Sequence, residues 1–228
     1  MGLATLKGGM RMERRRFGLR TLSIALLLIA QGTQAQGWQD YVSIEDGFAT
    51  VFPGTPTVRE ISWDSEYGAV FPGRVHAVET NGRYYAVTVI DYRDAEAIHK
   101  ARTNYTEADS PERYNYWRVD IVASVAYAAT QIRQRGGQVT FDAWHHIDRV
   151  PGHQLQLTNE DGSRTYAGIY LHENRLYIIE ATVPANTPPQ GMFQQGLRFI
   201  DEQGRRIRYQ WGENNELIKQ TRETVTRE

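Results

Sequence analysis

Hydrophobic and polar residues alternate with a period of two along most of residues 138–184. This period is typical of β-strands, whose successive side chains point to opposite faces of a sheet. Turn signals at Val150-Pro151-Gly152, Glu160-Asp161-Gly162 and Glu173-Asn174-Arg175 divide the segment into four strands. The segment therefore predicts an antiparallel meander, and one face of its first strand is predicted to carry Val139, Phe141, Ala143, His145 and Ile147.

A second group of strands is predicted before the meander. Residues 41–44 and 48–52 are expected to form a hairpin closed by Asp46-Gly47, a strong turn pair. Residues 58–63, 69–80 and 84–92 are predicted to be further strands. The last of them is apolar on both faces, which favours an interior position in the sheet.

Helical spacing appears between the two groups of strands and again after the second. Ser110-Pro111-Glu112 is a typical helix start, and Gly136-Gly137 is expected to end this helix. Residues 94–102 predict a short helix, and a final helix is expected after Pro188-Pro189, with Phe193, Leu197 and Ile200 on its buried side. These elements predict an α+β fold, an antiparallel β-sheet sandwiched between helices in the order α/β/α.

The first 35 residues have the pattern of a secretory signal peptide. Residues 11–20 are basic, residues 21–30 are apolar, and cleavage is predicted after Ala35. Ten apolar residues span only about half of a bilayer core, which disfavours a membrane anchor. Arg14-Arg15-Arg16-Phe17 resembles a twin-arginine export signal, so the general and twin-arginine routes both stay open. We expect a periplasmic or secreted protein.

Beyond the leader, residues 36–204 are predicted to form one domain and residues 205–228 a charged tail, either disordered or helical. Residues 1–35 hold six basic residues and one acidic residue, so the rest of the chain holds 20 basic and 26 acidic residues, a net charge of −6. This balance argues against nucleic acid as a partner. The absence of cysteine from the chain excludes disulfides and thiolate metal sites.

Motifs for catalysis, metal binding and cofactor binding do not emerge from the sequence. His145 and His146 are neighbours on a predicted strand and should point to opposite faces, which disfavours a shared metal ion. No Gly-x-Ser-x-Gly elbow or dinucleotide loop is present. We therefore predict a protein that is not an enzyme and needs no cofactor.

Four residues of the meander are the candidate binding residues. Trp144, Tyr166 and Tyr170 are expected to project away from the main apolar residues, and His146 shares its face with Asp142 and Trp144. Two interpretations stay open for the aromatic residues. If a helix covers that face they belong to the core, and if the face is open they form an aromatic binding surface.

The order of these signals resembles the bacterial exported proteins of the PsbP-like fold. The resemblance rests on the run from Gly47-Phe48 to Pro56, the long helix, the strand containing residues 175–179 and the final helix. It implies an antiparallel sheet between helices and a binding or accessory role rather than catalysis. Because a fold does not determine a function, the resemblance assigns no site residue.

These observations favour an exported, non-enzymatic binding or accessory protein of the cell envelope. Its partner is predicted to be another envelope protein, met through a strand edge, an aromatic patch or the charged tail. The alternative is a periplasmic carrier of a small ligand or metal. A hydrolase with an unrecognised site is a third hypothesis.

Overall fold

The computed structural model describes residues 37–103 and 115–222, which are rich in β-structure. Strands account for 51% of these described residues and helices for 17%. The strands of the N-terminal part are β1 (Gln39–Ser43), β2 (Phe48–Phe52), β3 (Thr57–Asp64), β4 (Val70–Thr80) and β5 (Arg83–Asp91). Helices α1 (Ala95–Ala101) and α2 (Tyr116–Arg133) follow. The remaining elements are β6 (Gln138–Ile147), β7 (Val150–Thr158), β8 (Arg164–His172), β9 (Arg175–Val183), α3 (Gly191–Gln194), β10 (Arg198–Phe199), β11 (Arg206–Trp211) and β12 (Leu217–Arg222).

Seven strands form one large antiparallel sheet in the order β3-β4-β5-β9-β8-β7-β6. The predicted meander is confirmed as β6 to β9, in which each strand pairs with the next. The predicted interior position of β5 is also confirmed, since it pairs with β4 and β9. Among the described residues, β3 and β6 are the two edge strands of this sheet.

The first turn of the meander lies at Asp148 and Arg149, both with positive φ, and not at Val150-Pro151-Gly152 as predicted. Pro151 instead belongs to β7, where it pairs with His146. Proline is tolerated here because β8 pairs with β7 only from Gly152 onward, so no ladder bond is required on that side. A bulge between Val139 and Phe141 shifts the register of β6 once more.

Helices α1 and α2 cover one face of the large sheet. The buried side of α2 includes Ile121, Val125, Ala128 and Ile132, whose spacing of three or four residues is that of a helix with one apolar face. The predicted start at Ser110-Pro111-Glu112 lies outside the described residues. No helix within residues 37–103 and 115–222 is long and apolar enough to cross a membrane.

The opposite face is covered by a second sheet of three strands in the order β1-β2-β10, together with α3. The predicted α/β/α sandwich is therefore wrong, and the layers are helices, a seven-stranded sheet and a three-stranded sheet. The helix expected after Pro188-Pro189 is only the four residues of α3, because Gly191 and Gly196 disfavour a longer helix. Leu197 and Phe199 are still buried, since β10 pairs with β2.

The charged tail also differs from the prediction of a helical or disordered segment. Strands β11 and β12 pair as a hairpin, and Ile207 is buried in the core on the side of the small sheet. Asp148, in the turn between β6 and β7, accepts hydrogen bonds from Arg206 at 2.9–3.2 Å and forms an ion pair with Arg208 at 3.1 Å. The folded part therefore extends beyond residue 204, to Arg222.

Candidate functional site

Trp144 is the most exposed of the four candidate binding residues, with 76% of its surface accessible. It lies on edge strand β6, opposite His153 of β7, and the two rings meet edge to face at 5.2 Å. Asp142 is two residues earlier on the same face, where it pairs with Arg133 of α2 at 2.8 Å and bonds to the His153 ring. Trp144 therefore lies on the helix side of the sheet, over a neutralised polar cluster.

His146 is exposed two residues beyond Trp144. Its ring lies 5.8 Å from that of His145, with 26° between the planes. His145 is half-buried and its Nδ1 lies 3.1 Å from the Tyr170 hydroxyl. Burial, with a contribution from His146, lowers the pKa of His145. His146 therefore borders the exposed edge, whereas His145 is tied to the interior.

Tyr166 and Tyr170 are not part of this surface. Tyr170 pairs with Gly152, whereas Trp144 pairs with His153, and neighbouring residues on β7 point to opposite faces. Both tyrosines are buried in the core between the two sheets. The predicted aromatic surface is therefore wrong for these two residues, and they are core residues covered by a sheet rather than by a helix.

The open edge of β6 is the surface that remains from the predicted site. The strand is ten residues long, and within the described part of the chain it pairs only with β7. Besides Trp144, Phe141 is 43% exposed and Val139 is 39% exposed. Phe141 pairs with Gln156 and therefore points to the face opposite Trp144. The edge thus presents apolar side chains on both of its faces beside unpaired main-chain groups.

A second feature, missed by the sequence analysis, is an open cleft of about 660 Å³ on the side of the large sheet that the small sheet covers elsewhere. The turn between β1 and β2 lines this cleft through Asp46, and strands β3, β4, β5 and β9 supply the other lining residues. The charged residues that line it are Asp46, Glu60, Arg74, Asp91 and Arg175.

Asp46 is the centre of a buried polar network at the rim of this cleft. Its carboxylate accepts hydrogen bonds from Ser43 at 3.0 Å and Arg74 at 2.9 Å, and His76 Nε2 lies 2.8 Å away. His76 Nδ1 lies 2.9 Å from the Tyr41 hydroxyl. Burial raises the pKa of Asp46, but the hydrogen bonds from His76, Ser43 and Arg74 outweigh it and the pKa is lowered. This ionised carboxylate joins the two sheets.

A third polar cluster combines Ser65, His99 and Asp120, residue types that also occur in hydrolase triads. The Asp120 Oδ2 atom accepts from Ser65 at 2.6 Å and lies 2.8 Å from His99 Nε2. Serine and histidine both bond to the carboxylate rather than to each other, so His99 does not act as a base on Ser65 in this arrangement. All three residues are buried, and they connect α1, α2 and the residues between β3 and β4.

The described residues contain no group of three or more His, Asp or Glu side chains placed to hold a metal ion.

Comparisons with known proteins do not supply a family for this chain. Protein-family models, curated proteins and solved structures were all searched, and none matches.

Proposed function

We propose that this chain is an exported binding protein of the cell envelope, and that the open edge of β6 is where it binds an extended segment of a partner protein. The support is the exposure of Trp144 on edge strand β6, whose outer side has no neighbouring strand among the described residues. Export is inferred from the basic, apolar and small-residue order of residues 1–35.

An exposed apolar edge is unusual in a stable soluble domain. Unpaired strands attract other strands, and natural proteins generally protect them with charges, prolines or short length. Residues 138–147 contain neither proline nor lysine, and their one carboxylate, Asp142, is neutralised by Arg133. Large aromatic side chains contribute disproportionately to binding energy in protein interfaces. The edge therefore has the composition of a binding surface.

The open outer side of β6 supports strand addition as the proposed binding mode. A partner strand would bond to the outer main-chain groups of β6, while pockets for its side chains would lie beside Trp144 on one face and Phe141 on the other. The bulge between Val139 and Phe141 interrupts regular pairing. We therefore place the partner strand along residues 141–146.

Site-specific photocrosslinking in the source cells tests this proposal. A photoreactive phenylalanine analogue replaces Trp144 in the full-length chain, and the matched control replaces Val122, which is 75% exposed on α2. We expect one discrete crosslinked protein from position 144 and none from position 122. Equal crosslinking from both positions, or none from position 144, would contradict the proposal. A crosslinked product of two copies of this chain would replace the envelope partner with self-association.

A photoreactive residue at position 141, placed in chains with and without Trp144→Ala, separates the roles of the two faces. Because Phe141 and Trp144 lie on opposite faces of the same edge, a strand added along β6 contacts both. The crosslink from position 141 is expected to weaken when Trp144 is replaced. An unchanged crosslink would place the partner on one face only.

A further inference from the structure

Arg175 differs from the other cations around the cleft beside the β1–β2 turn. Arg74 is neutralised by Asp46 at 2.7 Å and also pairs with Glu45, and Arg93 is neutralised by Asp91 at 2.5 Å. Among the ion pairs of the described residues, none involves Arg175. Its guanidinium donates to an uncharged oxygen, the Glu45 carbonyl at 3.4 Å, and lies beside the same glycine, Gly47, as the Tyr177 hydroxyl.

The Arg175 side chain is nevertheless held in place. Its guanidinium lies against Gly47, where an added side-chain carbon would come within 2.8 Å of Nη1 and within 3.2 Å of the Tyr177 hydroxyl. Gly47 has a φ of 70°, a conformation that glycine adopts without strain. The Tyr177 hydroxyl donates to the Asp46 carbonyl oxygen at 2.8 Å, which fixes the turn beside the guanidinium. An arginine has five N–H donors, so several of those on Arg175 remain for a ligand.

The rest of the cleft combines this cation with an apolar surface. Val70 and Pro72 are its exposed apolar lining residues, whereas Phe71 and Val89 are buried and Ile61 packs against the core beneath the helices. Its volume of about 660 Å³ lies in the range of small-molecule sites. A ligand that matches both features has an apolar body and one negatively charged group.

The other charged side chains of the cleft favour a ligand with one negative charge over a ligand with two. Asp46, Glu60 and Asp91 face the cleft with Arg74 and Arg175, so the lining carries a net charge of −1. A phosphate dianion would be repelled by the three carboxylates, whereas a carboxylate can pair with Arg175 through two parallel hydrogen bonds.

We propose that this cleft is a second binding site, which takes a small organic carboxylate with an apolar body, and that Arg175 is its anchoring cation. The site lies at the β1–β2 turn and on strands β3, β4, β5 and β9. It shares no residue with the β6 edge, so it stands independently of the proposed protein-binding function.

Nuclear magnetic resonance titration of the chain beginning at residue 36 tests the site, with 4-phenylbutyrate as the probe. We expect saturable shifts of the Gly47 and Gly73 amide signals, because Gly47 contacts Arg175 and Gly73 lines the cleft. The uncharged 4-phenylbutanol and inorganic phosphate are expected to bind at least about tenfold more weakly. Equal or tighter binding of phosphate would overturn the assigned ligand class.

Arg175→Gln is expected to weaken 4-phenylbutyrate binding about tenfold or more, and Arg175→Lys less. The matched control, Arg83→Gln, removes the same charge from the start of β5, outside the lining of this cleft, and should leave binding unchanged. Amide spectra of each variant establish folding, and Arg175→Lys carries the test if the glutamine variant does not fold. No saturable shift in the unaltered chain, or equal binding in the Arg175 variants, would overturn the proposal.

Discussion

Asp46 and His76 join the two sheets through a contact of 2.8 Å between a carboxylate oxygen and the ring Nε2. Asp46 lies in the turn of the β1–β2 hairpin, and His76 lies on β4 of the large sheet. Both side chains are buried, so neither can regain a water partner without opening the interface. This pair therefore ties the small sheet to the large sheet.

Replacement of Asp46 is predicted to destabilise the fold. Asp46→Asn removes the carboxylate to which Arg74 and His76 bond, and we expect the free energy of unfolding to fall by about 2–3 kcal/mol at pH 7. The control is Asp40→Asn, which breaks the more exposed pair with Arg198 and should cost less than about 1 kcal/mol. Urea denaturation measures both, and equal losses would contradict the role assigned to Asp46.

The difference in stability between the unaltered protein and Asp46→Asn is predicted to decrease in acid. The pKa of Asp46 is lowered in the folded state, so its stabilising contribution is present above the unfolded pKa of about 4 and is lost as the pH falls through the folded pKa. The stability of the unaltered protein and that of Asp46→Asn should therefore converge below about pH 4. A difference that does not shrink as the pH falls below 4 would contradict this.

His172 is predicted to make the fold sensitive to mild acid. Burial, aided by Lys219 and Arg175 and opposed by Glu173, lowers the pKa of His172 to about 4. Between pH 6.5 and 4 the unfolded chain binds a proton here that the folded chain does not, so stability falls as the pH falls. From pH 6.5 to 4.5 this amounts to about 2 kcal/mol.

His172→Phe keeps a ring against Phe199, which lies 4.3 Å from the His172 ring, and should remove this part of the acid sensitivity. Urea denaturation at pH 6.5 and 4.5 measures the effect. An unchanged loss of stability in His172→Phe would show that another group is responsible.

The C-terminal hairpin is predicted to depend on Asp148. This carboxylate accepts hydrogen bonds from Arg206 and forms an ion pair with Arg208, both on β11, and the Asp148 backbone oxygen accepts from the Tyr209 amide at 3.3 Å. In Asp148→Asn the charge is removed, while asparagine, like aspartate, tolerates the φ of 50° at this position. Amides of β11 and β12 should then exchange with solvent about tenfold faster, while those of β8 and β9 stay protected.

Asp161→Asn is the control for the hairpin, since Asp161 lies in the turn between β7 and β8 and bonds only to Ser163. Its hydrogen exchange in β11 and β12 should match the unaltered chain. If the amide exchange rate of Asp148→Asn rises throughout the large sheet, the substitution causes a general loss of stability rather than release of the hairpin.

Gly152 is predicted to be intolerant of any side chain. An added carbon would overlap the Ile169 carbonyl oxygen and the Tyr170 ring, so Gly152→Ala forces the sheet apart and should cost roughly 2–3 kcal/mol. Gly191→Ala is the matched control, because its added carbon has no neighbour within 4 Å. That change should stay within about 0.5 kcal/mol of zero. Urea denaturation compares the two, and a tolerated Gly152→Ala would contradict this packing.

The sequence pattern predicted most strands but not the face to which each side chain points. A three-residue turn at Val150-Pro151-Gly152 places Val139, Phe141 and Ala143 on the same face as Leu155. The observed turn at Asp148 and Arg149 pairs Ile147 with Val150 instead of with Leu155, which changes the register by an odd number of residues and puts Trp144 on that face. A slip by an odd number of residues reverses every side chain of a strand, which is why Trp144 is separated from Tyr166 and Tyr170.

The sequence pattern also did not predict the contacts between segments that are far apart along the chain. Strand β10 is two residues long and forms only because β2, about 150 residues earlier in the chain, lies beside it. The contacts of Asp46 with His76 and of Asp148 with Arg206 likewise join segments that no local pattern relates. The resemblance to PsbP-like proteins and the export of the chain stay predictions.

The β6 edge is predicted to contribute most of the affinity for the partner identified by crosslinking. Trp144→Ala should weaken binding about tenfold or more, since exposed aromatic residues at interfaces commonly contribute over ~1.4 kcal/mol. Val122→Ala, at a position equally exposed on α2, should leave the affinity unchanged. Titration calorimetry with the purified partner measures both, and equal effects would contradict a local role for Trp144.

Hydrogen exchange of that complex tests strand addition most directly. If the partner adds a strand, the outward amides of residues 141–146 gain protection on binding, while the amides of edge strand β3 exchange as in the free chain. Protection confined to β3 or α2, or none along β6, would contradict β6 as the docking edge.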